Sequence, residues 1–174
     1  MIVYATHITP RLLYIWNFIS HELTGKDVHI TTDKNEFATH TGLCINYSQQ
    51  RIQQNECWIK PHGLLFETNI QQQEIQCFQW NDLKVFFKTE GDIAFDIAAA
   101  SFYLLSRYEE YLPHQKDMYG RFAHENALAY KEQFLHRPII NEWLLSFSQI
   151  LQLKDSRFQP AKKMFEWLPT YDID

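Results

Sequence analysis

The sequence predicts one α/β (α+β) domain over residues 1–163, with a mixed or antiparallel sheet flanked by two or three long helices. Three observations lead there. Residues 92–112, DIAFDIAAASFYLLSRYEEYL, form the longest apolar-periodic run, with no Pro or Gly inside it. Short alternating runs of β-branched and aromatic residues recur between turn signals across residues 2–5 and 28–87. The chain is 45% hydrophobic and 16% aromatic, which is enough for a real core in 174 residues.

Residues 2–5 read as a short buried strand. Thr9-Pro10 is a helix start, with Thr9 as cap and Pro10 at the first helical position. Leu12, Leu13, Ile15, Trp16 and Ile19 give that helix its apolar face, and Thr24-Gly25 ends it. Val28, Ile30 and Thr32 alternate as a strand, residues 36–41 are ambiguous, and Leu43, Ile45 and Tyr47 form another strand before the polar loop 48–55. Residues 57–59, 64–66, 75–80 and 84–87 read as further strands in an antiparallel meander, with Pro61-His62-Gly63 and Asn81-Asp82 as turns. The run 92–112 is expected to be the central helix, capped by Asp92 and ended by Pro113. Asp117-Met-Tyr-Gly120 is a tight turn, and residues 127–134 are a short helix or irregular. Residues 139–153 make the last long helix, with Ile140, Trp143, Leu144, Phe147 and Leu151 on one side.

Charge and cysteine usage narrow the function. A net charge of −5 and a pI near 5.9 give no basic stripe for nucleic acid and no bias toward anionic membranes. Cys44, Cys57 and Cys77 match no metal-ligand spacing, and an odd, sparse set is expected to be reduced and buried, hence cytoplasmic. No run is apolar enough to span a bilayer, and the first residues lack the charged and apolar regions of a signal peptide.

The last five residues carry candidate chemistry. In an extended strand Asp172 and Asp174 fall on one face, about 6.5–7 Å apart along the chain. Two carboxylates so spaced can share one metal centre, one ligating the ion and the other accepting a proton from its bound water. The alternative is an acidic, solvated terminus.

Pro169-Thr-Tyr171-Asp-Ile-Asp174 resembles the first strand of the catalytic domain of polysaccharide deacetylases, the domain shared with chitooligosaccharide deacetylases of the NodB type. The run 95–111, continued by Leu112-Pro113 and by Asp117, Gly120, Arg121 and Phe122, resembles a region that precedes that domain in deacetylase-like proteins of Bacteroidetes-type bacteria. Within it, SRYEEYLP is the most specific stretch. The likeness covers residues 92–174 well and the first ninety loosely. It implies that Asp172 is the general base and Asp174 a ligand of a divalent metal, commonly Zn²⁺, with removal of an N-acetyl group from a sugar as the reaction. The family completes its site with two histidines at i and i+4. None of the eight histidines here stands three or four residues from another. The resemblance therefore implies a non-catalytic N-terminal accessory domain, followed over residues 164–174 by a linker and the first strand of a barrel that would act in cis. This chain would hold no cofactor itself, and its partners would be that barrel and possibly a glycan, not nucleic acid or membrane.

Other readings remain open at this stage. A stand-alone binding or interaction domain is one. A metal-dependent nuclease is another, since Asp82-Leu83-Lys84 could act with Glu67 or Glu74. Against it, an edge-strand charge pair explains the same residues. Arg107, Glu109, Glu110, Asp117 and Arg121 cluster near the end of the central run. They are either a contact surface for a catalytic domain or glycan, or a salt-bridge network that anchors the turn 117–120. Tyr103, Tyr108, Tyr111, Trp143 and Trp167 could stack on sugars, or fill the core as aromatics at helical spacing more often do.

Overall fold

A computed structural model describes residues 1–162 and 167–172. The mixed α/β class holds: among the described residues, helices combine with a parallel sheet of four strands and an antiparallel pair. The parallel sheet has the order β2-β1-β3-β4 and is built from β1 (Ile2–Ala5), β2 (His29–Thr31), β3 (Cys44–Tyr47) and β4 (Cys57–Ile59). Both its faces are covered, so β1 is apolar throughout rather than alternating. Val3 and Ala5 join the main core, while Ile2 and Tyr4 pack with Phe37 and Cys44 in a smaller cluster on the opposite face.

Helix α1 (Pro10–Thr24) starts as its sequence requires: the Thr9 hydroxyl accepts the Leu12 N–H, Pro10 opens the helix, and Gly25 closes it in the left-handed region at φ 69°. The ambiguous residues 36–41 lie largely in α2 (Lys34–Thr39), capped by Asp33, whose carboxylate accepts the Asn35 N–H. Helix α2 supplies Phe37 to the second face.

The expected meander over 57–87 is only partly present. β4 pairs parallel to β3, and the fully buried Glu56 organises the connecting loop by accepting hydrogen bonds from Asn46, Ile52 N–H and Gln53 N–H. Leu64–Phe66 is a 3-10 turn rather than a strand. Antiparallel pairing is kept by β5 (Phe78–Trp80) and β6 (Leu83–Val85), joined through Asn81 and Asp82 at φ 49° and 60°. Two left-handed residues suit a tight hairpin, and Asn and Asp tolerate them best after Gly.

The run 92–112 is not one helix. Residues 89–96 fold back against the preceding chain, with Thr89 N–H donating to Ala94 and Asp96 N–H to Phe87. Ile93 and Phe95 are buried at a spacing of two, the period of extended chain. Asp96, not Asp92, caps α3 (Ile97–Leu105). Asp92 is drawn away by Arg51 and Lys154, both at 2.8 Å, and by Trp58 N–H at 2.7 Å. Arg107 then stops the helix in the left-handed region, and a 3-10 turn spans Tyr108–Tyr111. The shortened α3 is central all the same. Residues 97–103 are all buried, and its three alanines let α1 approach closely. The short helix α4 (Leu128–Lys131) follows, then α5 (Ile139–Lys154), which sets Trp143 against Phe86 and Phe95 and donates its indole N–H to Lys84 O at 2.9 Å. Among the described residues no helix is long and apolar enough to cross a membrane.

Candidate functional site

An open parallel sheet offers its ligand crevice at the carboxyl ends of the strands, where the strand order reverses. Here that point lies between β1 and β3, since the chain moves outward from β1 to β2 on one side and from β3 to β4 on the other. Side chains of the chain itself stand at this point. The Phe66 ring packs against His7, just beyond β1, and against Tyr47, the last residue of β3, with centroid separations of 4.5 and 5.9 Å. The Thr9 hydroxyl donates to Leu65 O, and Arg11 donates to Leu64 O and Asn69 O at 2.9 Å each. Leu64 and Leu65 are fully buried beneath.

Asp96 fastens this plug to α3. One carboxylate oxygen accepts the Tyr47 hydroxyl at 2.6 Å and His62 N–H at 2.8 Å, while the other accepts Ala99 N–H at 2.9 Å. Burial pushes the Asp96 carboxyl above the usual carboxylate range, against those three hydrogen bonds. Burial also raises the Tyr47 hydroxyl well above its ordinary value, so it stays a donor at neutral pH. The sequence reading missed Asp96, although a single carboxylate set just before three alanines is a capping signal. Plug and fastening together set the half-buried Phe66 and the buried Tyr47 and Asp96 at the usual seat of ligands in such a sheet.

The residues flagged near the end of the central run divide into two groups. Arg107, Glu109 and Glu110 line an open cleft of about 370 Å³ between the end of α3 and the start of α5. Its floor and walls include Leu104, Phe122, Phe134 and Ile140, and Arg137 and Asn141 come in from α5 and the segment before it. Glu109 accepts Leu128 N–H at 2.7 Å, and burial raises its carboxyl, with this hydrogen bond pulling the other way. Arg137 is held by Glu142 at 2.7 Å. Asp117 and Arg121 lie apart and close their own turn. Asp117 accepts the Tyr119 and Arg121 N–H groups at 2.8 and 2.9 Å and pairs with the Arg121 guanidinium at 3.1 Å. The Arg121 backbone hydrogen bond is the first cause that holds the Asp117 carboxyl below its usual value.

Arg107 departs from what its backbone favours. It holds φ 52° and ψ 43° just after the helix end, the position where glycine is the common choice. A left-handed non-glycine residue costs about 1 kcal/mol or more. Its ion pair with Glu110 is an exposed i,i+3 contact, worth a few tenths of a kcal/mol. The pair alone does not offset the backbone.

The remaining candidates are dispersed. Lys84 pairs with Glu132, Glu67 lies against Arg11 and Gln73, and Glu74 is exposed. Tyr103, Tyr108 and Trp143 are core residues, whereas Tyr111 and Trp167 are exposed. Asp172 lies on exposed chain beside Tyr171, which is 84% exposed, and Asp174 lies outside the described residues, as do 163–166. Among the described residues no three His, Cys, Asp or Glu side chains converge as a metal site. A catalytic Zn²⁺ wants about three protein ligands, so the described residues do not fit that ion. All three thiols are free.

Comparison with curated proteins and with solved structures finds no match to this sequence. A family of unknown function, DUF7033, matches residues 1–156, a span that holds the parallel sheet, its plug and the cleft. The chain belongs to that family, DUF7033.

Proposed function

We propose that this chain is a non-catalytic accessory domain of a carbohydrate deacetylase, the companion in cis of a metal-dependent barrel that removes N-acetyl groups from amino sugars. The observation that carries the reading is the occupied end of the sheet: Phe66 packs on His7 and Tyr47 at the usual seat of ligands in a parallel sheet. The identity of the companion comes from the likeness of SRYEEYLP and of residues 169–174 to deacetylase sequences. Trp167, Leu168 and Tyr171 agree with it, being large apolar side chains on chain that has left the core, as in a strand awaiting sheet partners. Asp172 would then be the general base and Asp174 a ligand of the barrel's divalent metal, with the histidine pair supplied from beyond this chain.

A stand-alone binding domain is the second reading, favoured by the cleft at Arg107. The two part on the coding sequence downstream of Asp174. The accessory reading expects it to continue into a segment with His-x-x-x-His. It also expects the encoded polypeptide to release acetate from an N-acetylated oligosaccharide in the presence of Zn²⁺, with that release lost on Asp172→Asn. A continuation without the histidine pair, or acetate release indifferent to Asp172→Asn, would remove the proposal.

A further inference from the structure

The cleft at the end of α3 combines three features that do not require one another. It is concave, about 370 Å³, and walled mainly by apolar side chains, among them Phe122, Phe134 and Ile140. Its lining carries two guanidinium groups, Arg107 and Arg137, and two carboxylates, Glu109 and Glu110, with Arg107 paired to Glu110 and Arg137 to Glu142 outside the lining. Two of those groups are held in place beforehand, Glu109 by Leu128 N–H and Arg137 by Glu142, and Arg107 rises from a left-handed backbone that costs more than its ion pair with Glu110 returns.

Arg107 makes the cleft more than a surface irregularity. Glycine would serve the helix end better, yet an arginine stands there with its side chain 73% exposed. Its Nε is engaged by Glu110, which leaves the terminal guanidinium nitrogens available at the cleft. Breaks of such local rules are expected at functional or strained sites; Phe87 and Gln133 share the left-handed backbone, but Arg107 alone of the three lines this cleft.

The chemistry of the lining selects the ligand. An anion would meet two carboxylates and a cation two guanidinium groups, so a net charge of either sign gains little. A neutral ligand with several hydroxyls can accept from the guanidinium and donate to the carboxylates at once. It also needs a flat apolar side to set against the partly exposed Phe122 and Ile140. A pyranose ring has both, with C–H groups on its faces and hydroxyls at its rim, and the volume suits one or two rings. We propose that this cleft is a binding site for a neutral saccharide, with Arg107 as the residue that decides affinity. The choice of an N-acetylated sugar as first probe rests on the accessory-domain reading; the cleft and its neutrality do not.

The test is amide NMR on the uniformly ¹⁵N-labelled 174-residue chain, titrated with three probes: the β-1,4-linked tetramer of N-acetylglucosamine, maltotetraose, and tetragalacturonate. The expected result is saturable shifts confined to the amides of the cleft, around Leu104, Arg107, Ala127 and Asn141, with a neutral tetramer and not with the acid. Arg107→Gly keeps the backbone conformation, so it should fold with an unchanged or higher Tm. It should bind about tenfold more weakly or worse, the loss expected for a hydrogen bond to a charged group. Arg121→Ala, outside the cleft, should bind as the native chain does. No shifts with either neutral tetramer, preference for the acid, or full affinity in Arg107→Gly would each overturn the proposal. Binding of maltotetraose but not of the acetylated tetramer would keep the saccharide site and count against the deacetylase companion. Acetate release by the longer polypeptide with no shifts at the cleft would do the reverse.

Discussion

Replacing Asp96 by alanine should be the most damaging single change near the plugged crevice. The substitution removes the acceptor that caps α3, a loss of about 1 kcal/mol. It strands the Tyr47 hydroxyl, fully buried with its proton directed at the missing oxygen, at about 2 kcal/mol. The half-buried His62 N–H adds about 1 kcal/mol. Against this, the fold no longer has to hold a desolvated carboxylate, which returns about 1 kcal/mol. The net is about 3 kcal/mol. With a urea dependence of about 2 kcal/mol per molar, the unfolding midpoint should fall by about 1.5 M. Asp96→Asn keeps the shape and one acceptor, so it should fall between the native chain and Asp96→Ala. The assay is urea unfolding followed by far-UV circular dichroism and tryptophan fluorescence, with hydrogen exchange at His62 and Ala99 as the local readout. A midpoint for Asp96→Ala within about 0.3 M of the native value, with both amides still protected, would refute the reasoning.

Three further outcomes follow from the same geometry. Gly91 sits at φ 149°, and a Cβ there would lie 2.5 Å from Trp58 O, a backbone atom that cannot swing aside; Gly91→Ala should lose about 2 kcal/mol and several degrees of Tm by calorimetry. Burial works to raise the Asp92 carboxyl, but hydrogen bonds from Arg51, Lys154 and Trp58 N–H outweigh it and hold the carboxyl below its ordinary 3.8. A depressed carboxyl stabilises the fold above its unfolded pKa, and that contribution disappears as the pH falls through the folded one. Stability measured from pH 5 to pH 2 should therefore drop more steeply in the native chain than in Asp92→Asn, and parallel curves would count against the ion pairs. Burial raises the Cys57 and Cys77 thiols to about 12 and about 11, so at pH 8 both should react with a thiol reagent far more slowly than in 6 M guanidinium; equal rates would contradict the burial.

Much of the fold could be read from the chain because local rules and tertiary packing agree there. Thr9-Pro10 capped α1, the apolar stripe of 139–153 gave α5, and Asn81-Asp82 made a hairpin turn. The reading failed where a tertiary partner outbid local preference. The apolar content of 92–112 looks helical throughout, yet Asp92 is drawn off by Arg51 and Lys154, and Ile93 and Phe95 are buried as extended chain. Leu64–Phe66 looked like a strand because three apolar residues between turns fit a strand and a buried plug equally well. Parallel pairing of β3 with β4 was hidden by the shortness of the loop between them, since parallel neighbours usually need a longer crossover. Of the candidate cluster, Arg107, Glu109 and Glu110 do share a cleft, whereas Asp117 and Arg121 bond mainly to each other and to their own turn. The left-handed backbone of Arg107 has no signature in sequence, because nothing about SRYEE marks the arginine as the residue that ends the helix.

The account stands or falls on whether this fold can do chemistry by itself. The direct measurement is acetate release from the tetramer of N-acetylglucosamine by the purified 174-residue chain, supplied with Zn²⁺ and assayed against a buffer blank. The account predicts release no faster than the blank, because the accessory-domain proposal places the metal's histidine ligands outside this chain and Phe66 packs on Tyr47 at the end of β3. Sustained release that a chelator stops and added zinc restores would contradict it.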